Sequence, residues 1–314
     1  MSKIAFLFPG QGSQSVGMGA ELVESNSENK SFYEKADRRL GFDLSKLMLE
    51  GPIEQLTYTY HAQPALLTTS TMISEYLKKS GIQPDFTVGH SLGEYSALVS
   101  SGVLSFEDGV QIVHERGLFM NEAVPAGEGA MAAILGLDAP LLKEVTDLVT
   151  NEGDAVQLAN LNCPGQIVIS GTKAGVEKAC VKAKEAGAKR AIPLEVSGPF
   201  HSELMRPAAS KLQEALAKLD MKDTAIPVIS NVTAQPVMKS EDMKPLLVSQ
   251  LYSPVQFEMC TRTLLDEGVT HFVECGPGKV LSGLVKKIDR SANVYPVYDL
   301  HTIENVIEAS KEWS

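Results

Sequence analysis

Apolar positions recur in two rhythms along this chain. A continuous apolar run at 4–8 closes at the turn-forming PGQG of 9–12, which predicts a buried first strand. Within HAQPALLTTSTMISEYLKKSG, Ala65, Leu66, Thr69, Met72, Ile73, Tyr76 and Leu77 fall on one face of a helix stopped by Gly81. A short strand at 86–88 follows. The segment SFEDGVQIVHERGLFM predicts another helix, with Val110, Val113, Gly117 and Met120 on its apolar face and Arg116 at the border of that face.

Beyond PAGEGA the elements become shorter. The pattern predicts a strand at 130–135, a helix at 139–149, strands at 155–161 and 166–171, a helix at 173–187 and a strand at 188–195. That order is the split, ferredoxin-like one, and it fits a small domain at 128–197 inserted into a larger one built from 1–127 and 198–314. The larger domain resumes with a stripe of Leu204, Ala208, Leu212, Leu216 and Leu219, whose first turn Pro207 should delay or kink. A turn-rich PVISNVTAQPV, helices at 241–251 and 253–268, a strand HFVECG, a helix after PGK and a last strand NVYPVY complete the pattern. Alternating strands and helices predict an α/β fold, a mostly parallel sheet covered by helices.

Composition narrows the function. With 314 residues, 44% of them hydrophobic, the chain can bury a large core. A net charge of −11 offers no basic field for a nucleic-acid backbone, so none is expected as partner. Cys163, Cys180, Cys260 and Cys275 lie far apart, without the spacing of a disulfide framework or a zinc site, and no metal is expected. The apolar start of the chain is too short for a secretory h-region and no window approaches a membrane span, which leads to the expectation of a cytoplasmic protein without a membrane partner.

The chemistry centres on GHSLGEYSAL at 89–98. In a G-x-S-x-G elbow between strand and helix, the serine projects into the site and the next backbone N–H faces a developing oxyanion. The β-like FTV before Ser91 and the helix-forming run after it supply that context, and give the large domain an α/β-hydrolase-like character. A serine needs a base, and of six histidines His201 stands in a loop before a helix, where it serves either as that base or structurally. No acid stands out to orient it among Asp138, Asp154, Glu185 and Glu195. The loop FPGQGSQSVGMG lacks the third glycine of a dinucleotide fingerprint and the Gly-Lys of a phosphate loop, so no nucleotide cofactor is expected.

Taken together, FPGQGSQ, QPALLTTS, GHSLGEYSAL, ERG, GPFHSELM and ECGPGKVLSGL resemble, in order and across nearly the whole chain, the malonyl-CoA:acyl carrier protein transacylases. The resemblance is to the free-standing form. It implies malonyl transfer from malonyl-CoA to holo acyl carrier protein by a ping-pong route, without cofactor, in a chain expected to be a monomer. It implies Ser91 as nucleophile, His201 as base, the backbone N–H groups of Gln11 and Leu92 as oxyanion hole, and a main-chain carbonyl at Gln250 in place of the triad acid. Arg116 would clamp the malonyl carboxylate, Phe200 would disfavour methyl-branched groups, and Asn160 and Asn231 would line the substrate cleft. A serine thioesterase or acyl hydrolase shares the elbow and is the alternative. Lys189, Arg190, Lys279, Lys286, Lys287 and Arg290 are the candidate carrier contacts, since the chain itself is acidic.

Overall fold

A computed structural model describes residues 2–125, 127–196 and 198–313. Two sheets organise it. The first is six-stranded, made of β1 (Lys3–Phe8), β2 (Phe86–Gly89), β7 (Val228–Ile229), β8 (Pro236–Val237), β9 (Val269–Cys275) and β10 (Asn293–Val297), in the order β10-β9-β1-β2-β7-β8. All neighbours pair in parallel except β7 with β8. The second contains β3 (Gly129–Leu135), β4 (Val156–Cys163), β5 (Gln166–Thr172) and β6 (Arg190–Pro193), antiparallel and in the order β4-β5-β3-β6.

The central strand β1 is buried on both faces, as its apolar run requires: Ala5 and Leu7 enter one cluster, Phe6 and Phe8 the other. Helix Thr59–Lys79 departs from expectation. Instead of one buried face it is buried nearly all round, because helix Phe106–Glu122 and other helices cover the side that the apolar stripe leaves open. Its small polar residues tolerate this by bonding back to their own helix, as Thr68 and Thr71 do to the carbonyls of Pro64 and Leu67. Gly117 permits the closest approach of the pair, since a Cβ there would stand 2.5 Å from the Tyr60 Cα.

Pro207 keeps its place in the pattern: Leu204 lies in a 3-10 turn, Glu203–Met205, and the α-helix itself runs Arg206–Ala217 with Pro207 in its first turn, where the missing N–H costs nothing. Other expectations change. The turn-rich 227–237 contains β7 and β8, two residues each, too short to register as alternation. The helices Ser27–Leu40 and Leu44–Glu50 were not legible in the apolar pattern; the first is mostly polar, and its mean burial rests on few residues such as Tyr33 and Ala36. Among the described residues no helix is long and apolar enough to cross a membrane.

Candidate active site

β1 and β2 lie side by side, with Phe8 opposite Gly89, so the loops leaving their carboxyl ends open into one crevice. The first loop carries Gln11 and the second carries Ser91. A cleft of about 220 Å³ stands there, lined by Gln11, Ser91, Leu92 and Arg116 from the large-sheet side and by Met131 and Asn160 from the small sheet. Phe200 and His201 line it as well.

Ser91 stands at φ 54° and ψ −108°, a strained backbone for a residue with a side chain. Glycines make the turn possible. A Cβ on Gly89 would lie 1.8 Å from the Gly93 carbonyl carbon, and one on Gly93 would lie 2.0 Å from the Phe8 carbonyl oxygen. Gly93→Ala is therefore expected to destabilise the fold by about 3 kcal/mol or more, because backbone, not a flexible side chain, must yield. Urea unfolding measures it, and a loss within about 0.5 kcal/mol would show that the elbow relaxes freely.

Asn231 clamps the elbow from behind. Its Oδ1 accepts the Ser91 N–H at 2.8 Å and its Nδ2 donates to the Gly89 carbonyl at 2.7 Å. It is fully buried and absent from the cleft lining, so the expectation of a substrate-lining Asn231 gives way to that of a brace. Asn160, by contrast, does line the cleft, on β4 where the strand bridges to Val255. Phe200 lines it too, immediately before His201.

The reactive groups meet in a short relay. The Ser91 hydroxyl donates to His201 Nε2 at 2.8 Å, and His201 Nδ1 donates to the Gln250 main-chain carbonyl at 2.8 Å. None of the four carboxylates weighed as orienting acids occupies that place. Asp138 caps helix Ala139–Asn151, Asp154 pairs with Lys178, Glu185 ends helix Lys173–Glu185, and Glu195 lines the cleft without a bond to the imidazole. The neighbouring His90 diverges from Ser91, its Nε2 bonding Asn162 Oδ1 at 2.8 Å.

Arg116 is not at a border but at the centre, 1% exposed and the largest fully buried side chain among the described residues. Its Nη1 donates to Gln63 Oε1 at 2.7 Å, and its Nη2 donates to Gln250 Oε1 at 2.9 Å and to Ser91 Oγ at 3.2 Å. Among the described residues its Nε has no hydrogen-bond partner. The residue lines the cleft, and a guanidinium is the group that can clamp a carboxylate with two parallel hydrogen bonds. Burial, and then the Arg116 charge, lower the His201 pKa to about 3, so the imidazole is neutral and able to accept a proton.

Leu92 opens helix Leu92–Ser100, where the first N–H groups have no intrahelical acceptor, and Gln11 lines the same cleft. Gln63, Glu94 and Gln157 were not singled out in the sequence. Glu94 accepts from Gln250, and Gln157 donates to the His201 carbonyl at 3.3 Å. The available signal was a polar side chain inside an otherwise apolar helical run, as in HAQPALL and LGEYSALV. Among the described residues no cluster of His, Cys, Asp or Glu could hold a metal ion.

A family model described as "Acyl transferase domain" matches residues 5–303. The malonyl CoA-acyl carrier protein transacylase of Bacillus subtilis is 64% identical over 312 residues, covering 99% of this chain and 98% of that protein. A crystal structure of an acyl carrier protein S-malonyltransferase from Vibrio cholerae superposes with a TM-score of 0.95 at 45% identity, covering 97% of this chain and 100% of that one. A malonyl-transacylase solved in complex with its type II PKS acyl-carrier protein gives 0.95 at 41% identity, over 98% and 100% of the two chains.

Proposed function

This chain belongs to the acyl transferase family as a malonyl-CoA:acyl carrier protein transacylase, transferring malonyl groups from malonyl-CoA to the phosphopantetheine thiol of holo acyl carrier protein, and we propose that it does so by a ping-pong route through a malonyl ester on Ser91. The observation that carries the route is the relay from Ser91 Oγ through His201 to the Gln250 carbonyl, with Arg116 on the same hydroxyl.

In the first half, His201 Nε2 takes the Ser91 proton as Oγ attacks the thioester carbonyl. The Gln250 carbonyl holds the imidazole in the tautomer that accepts at Nε2 and stabilises the imidazolium as it forms. A main-chain dipole does less for that charge than a carboxylate, and no carboxylate stands there to be neutralised. The tetrahedral oxyanion points to the N–H groups of Gln11 and Leu92. Collapse expels coenzyme A, protonated by His201. The second half repeats the steps with the carrier thiol as nucleophile and Ser91 as leaving group.

We read the second sheet as an inserted, ferredoxin-like domain at 128–197 on an α/β-hydrolase-like core at 1–127 and 198–314 of a cytoplasmic enzyme; the strand order β4-β5-β3-β6 supports this for the insertion. Intact mass of the protein mixed briefly with malonyl-CoA, followed by peptide mapping, tests the route. An ester on Ser91 that leaves only when holo carrier is added is the expected result. Discharge at the same rate without carrier would make it a hydrolase.

We propose a carrier surface from the basic side chains near the cleft. Arg190 on β6 pairs with Leu135, Leu135 pairs with Gln166, and the Gln166 side chain accepts from Lys287 Nζ at 2.9 Å. The exposed Lys189, Arg190, Lys286 and Lys287 thus share one patch beside the strand end whose Asn162 holds His90 at the cleft. Replacing Lys286 and Lys287 together by Glu is expected to raise KM for the carrier about tenfold, more at low salt, while Ser91 acylation by malonyl-CoA stays unchanged. Carrier kinetics unaffected by the double reversal would exclude the patch.

A further inference from the structure

Glu94 is 4% exposed, and among the described residues it forms no salt bridge. Its helix starts one residue after the nucleophile, and its carboxyl bonds the backbone of Asn231, the residue that braces the elbow. A buried carboxyl with no adjacent cation is costly unless hydrogen bonds satisfy it, which makes its partners informative. Glu94 Oε2 accepts from Gln250 Nε2 at 2.6 Å and from the Asn231 N–H at 3.2 Å.

Both partners act on the reacting groups. Gln250 Nε2 also donates to the Ser91 carbonyl at 3.0 Å, and Gln250 Oε1 accepts from Arg116 Nη2 at 2.9 Å. The two ends of an amide have nearly the same shape, but only nitrogen donates. With Nε2 committed to Glu94 and to the Ser91 carbonyl, Oε1 is turned toward the guanidinium. The reversed amide would face oxygen to a carboxyl and a carbonyl, and NH₂ to a cation.

We infer that Glu94 is a positioning residue which anchors the Gln250 side chain, and through it the Arg116 guanidinium in the orientation that receives the malonyl carboxylate. The inference rests on the malonyl-transfer reading above and adds to it a residue whose carboxyl bonds neither the reacting hydroxyl nor the guanidinium, although its backbone N–H donates to the Ser91 carbonyl at 3.1 Å. Burial pushes the carboxyl up to about 7, against the pull of its Gln250 and Asn231 donors and of the Arg116 charge. The anchor works through Oε2 alone, so a neutral acceptor of the same length can replace it.

Single-turnover acylation of Ser91 by malonyl-CoA and by acetyl-CoA, read by intact mass, distinguishes anchoring from general support of the fold. In Glu94→Leu and Glu94→Asp, which remove or retract the acceptor, malonyl acylation is expected to fall at least about tenfold more than acetyl acylation, the effect of one hydrogen bond to a charged group. Glu94→Gln, whose carbonyl can still accept, is expected to restore the ratio to within about threefold. Equal losses with both donors, or an unchanged ratio in either defective variant, overturn the inference; if Glu94→Leu does not fold, Glu94→Asp and Glu94→Gln still decide it. Failure of the wild type to form a malonyl adduct would instead overturn the transfer reading itself.

Discussion

Replacing His201 with alanine is expected to slow acylation of Ser91 by malonyl-CoA about 10³- to 10⁴-fold, and replacing Ser91 with alanine to abolish the adduct. The geometry sets the scale. The imidazole is the group at 2.8 Å from the hydroxyl, and nothing else among the described residues stands ready to take its proton. Binding and the oxyanion donors survive in the His201 variant, which is why a residual rate should remain. Stopped reactions followed by intact mass measure both, and a His201→Ala chain within about tenfold of wild type would remove the histidine from the mechanism.

The same site predicts an unusual response to pH. His201 is neutral down to about 3, so acylation should show no inflection near 6.5, the ordinary value for the imidazole. Stability behaves accordingly. The unfolded chain binds a proton at this residue below about 6.5 and the folded chain does not until about 3, so folding free energy from this group is present above 6.5 and drains away as pH falls through that window. Glu94, raised to about 7, acts in the opposite sense, favouring the folded state at low pH and losing that contribution as pH rises through about 7. Urea midpoints of His201→Gln against wild type isolate the first effect: the variant is expected to lose less stability between about pH 6.5 and 4.

What could be read from the sequence divides along physical lines. The core of β1 is a continuous apolar run closed by proline and glycine, and the elbow has a local signature, so both were legible. His201 and Arg116 were not identifiable from spacing alone. Their roles depend on chain segments 25 to 159 residues from Ser91 that meet only through the crossovers of the sheet. Gln250 shows the limit most clearly. The resemblance supplied its main-chain carbonyl, but its side chain, which contacts Arg116, Glu94 and the Ser91 carbonyl, has no sequence signal beyond a glutamine at the end of an ordinary helix. Asn231 misled for a related reason. An asparagine in a turn-rich stretch is as easily a substrate contact as a brace, and only burial decides.

Arg116→Ala is expected to lower malonyl acylation about 10²- to 10³-fold and to leave acetyl acylation unchanged or faster, so that the preference collapses from both sides. The first half is what losing a buried guanidinium should cost if Arg116 clamps the carboxylate that malonyl-CoA carries and acetyl-CoA lacks. The second half comes from where Arg116 stands beside the nucleophile. Its Nη2 lies 3.2 Å from the Ser91 Oγ, occupying a lone pair of the nucleophile, and its charge helps hold down the basicity of His201. A malonyl carboxylate paired with the guanidinium neutralises that charge and competes for the same N–H; an acetyl group does neither. Removing Arg116 therefore frees the serine and histidine for substrates that could not free them themselves. Labelling of Ser91 by phenylmethylsulfonyl fluoride, which carries no carboxylate, reads this directly: in Arg116→Ala its midpoint should move up from about 3 but stay below the ordinary imidazole value, because burial, the larger cause of the lowering, remains. Arg116→Lys, a point charge without the planar fork, should keep the low midpoint while still losing most malonyl selectivity. Malonyl preference intact in Arg116→Ala would defeat the clamp, and a lost preference with an unmoved midpoint would leave the clamp in place while refuting its hold on the nucleophile.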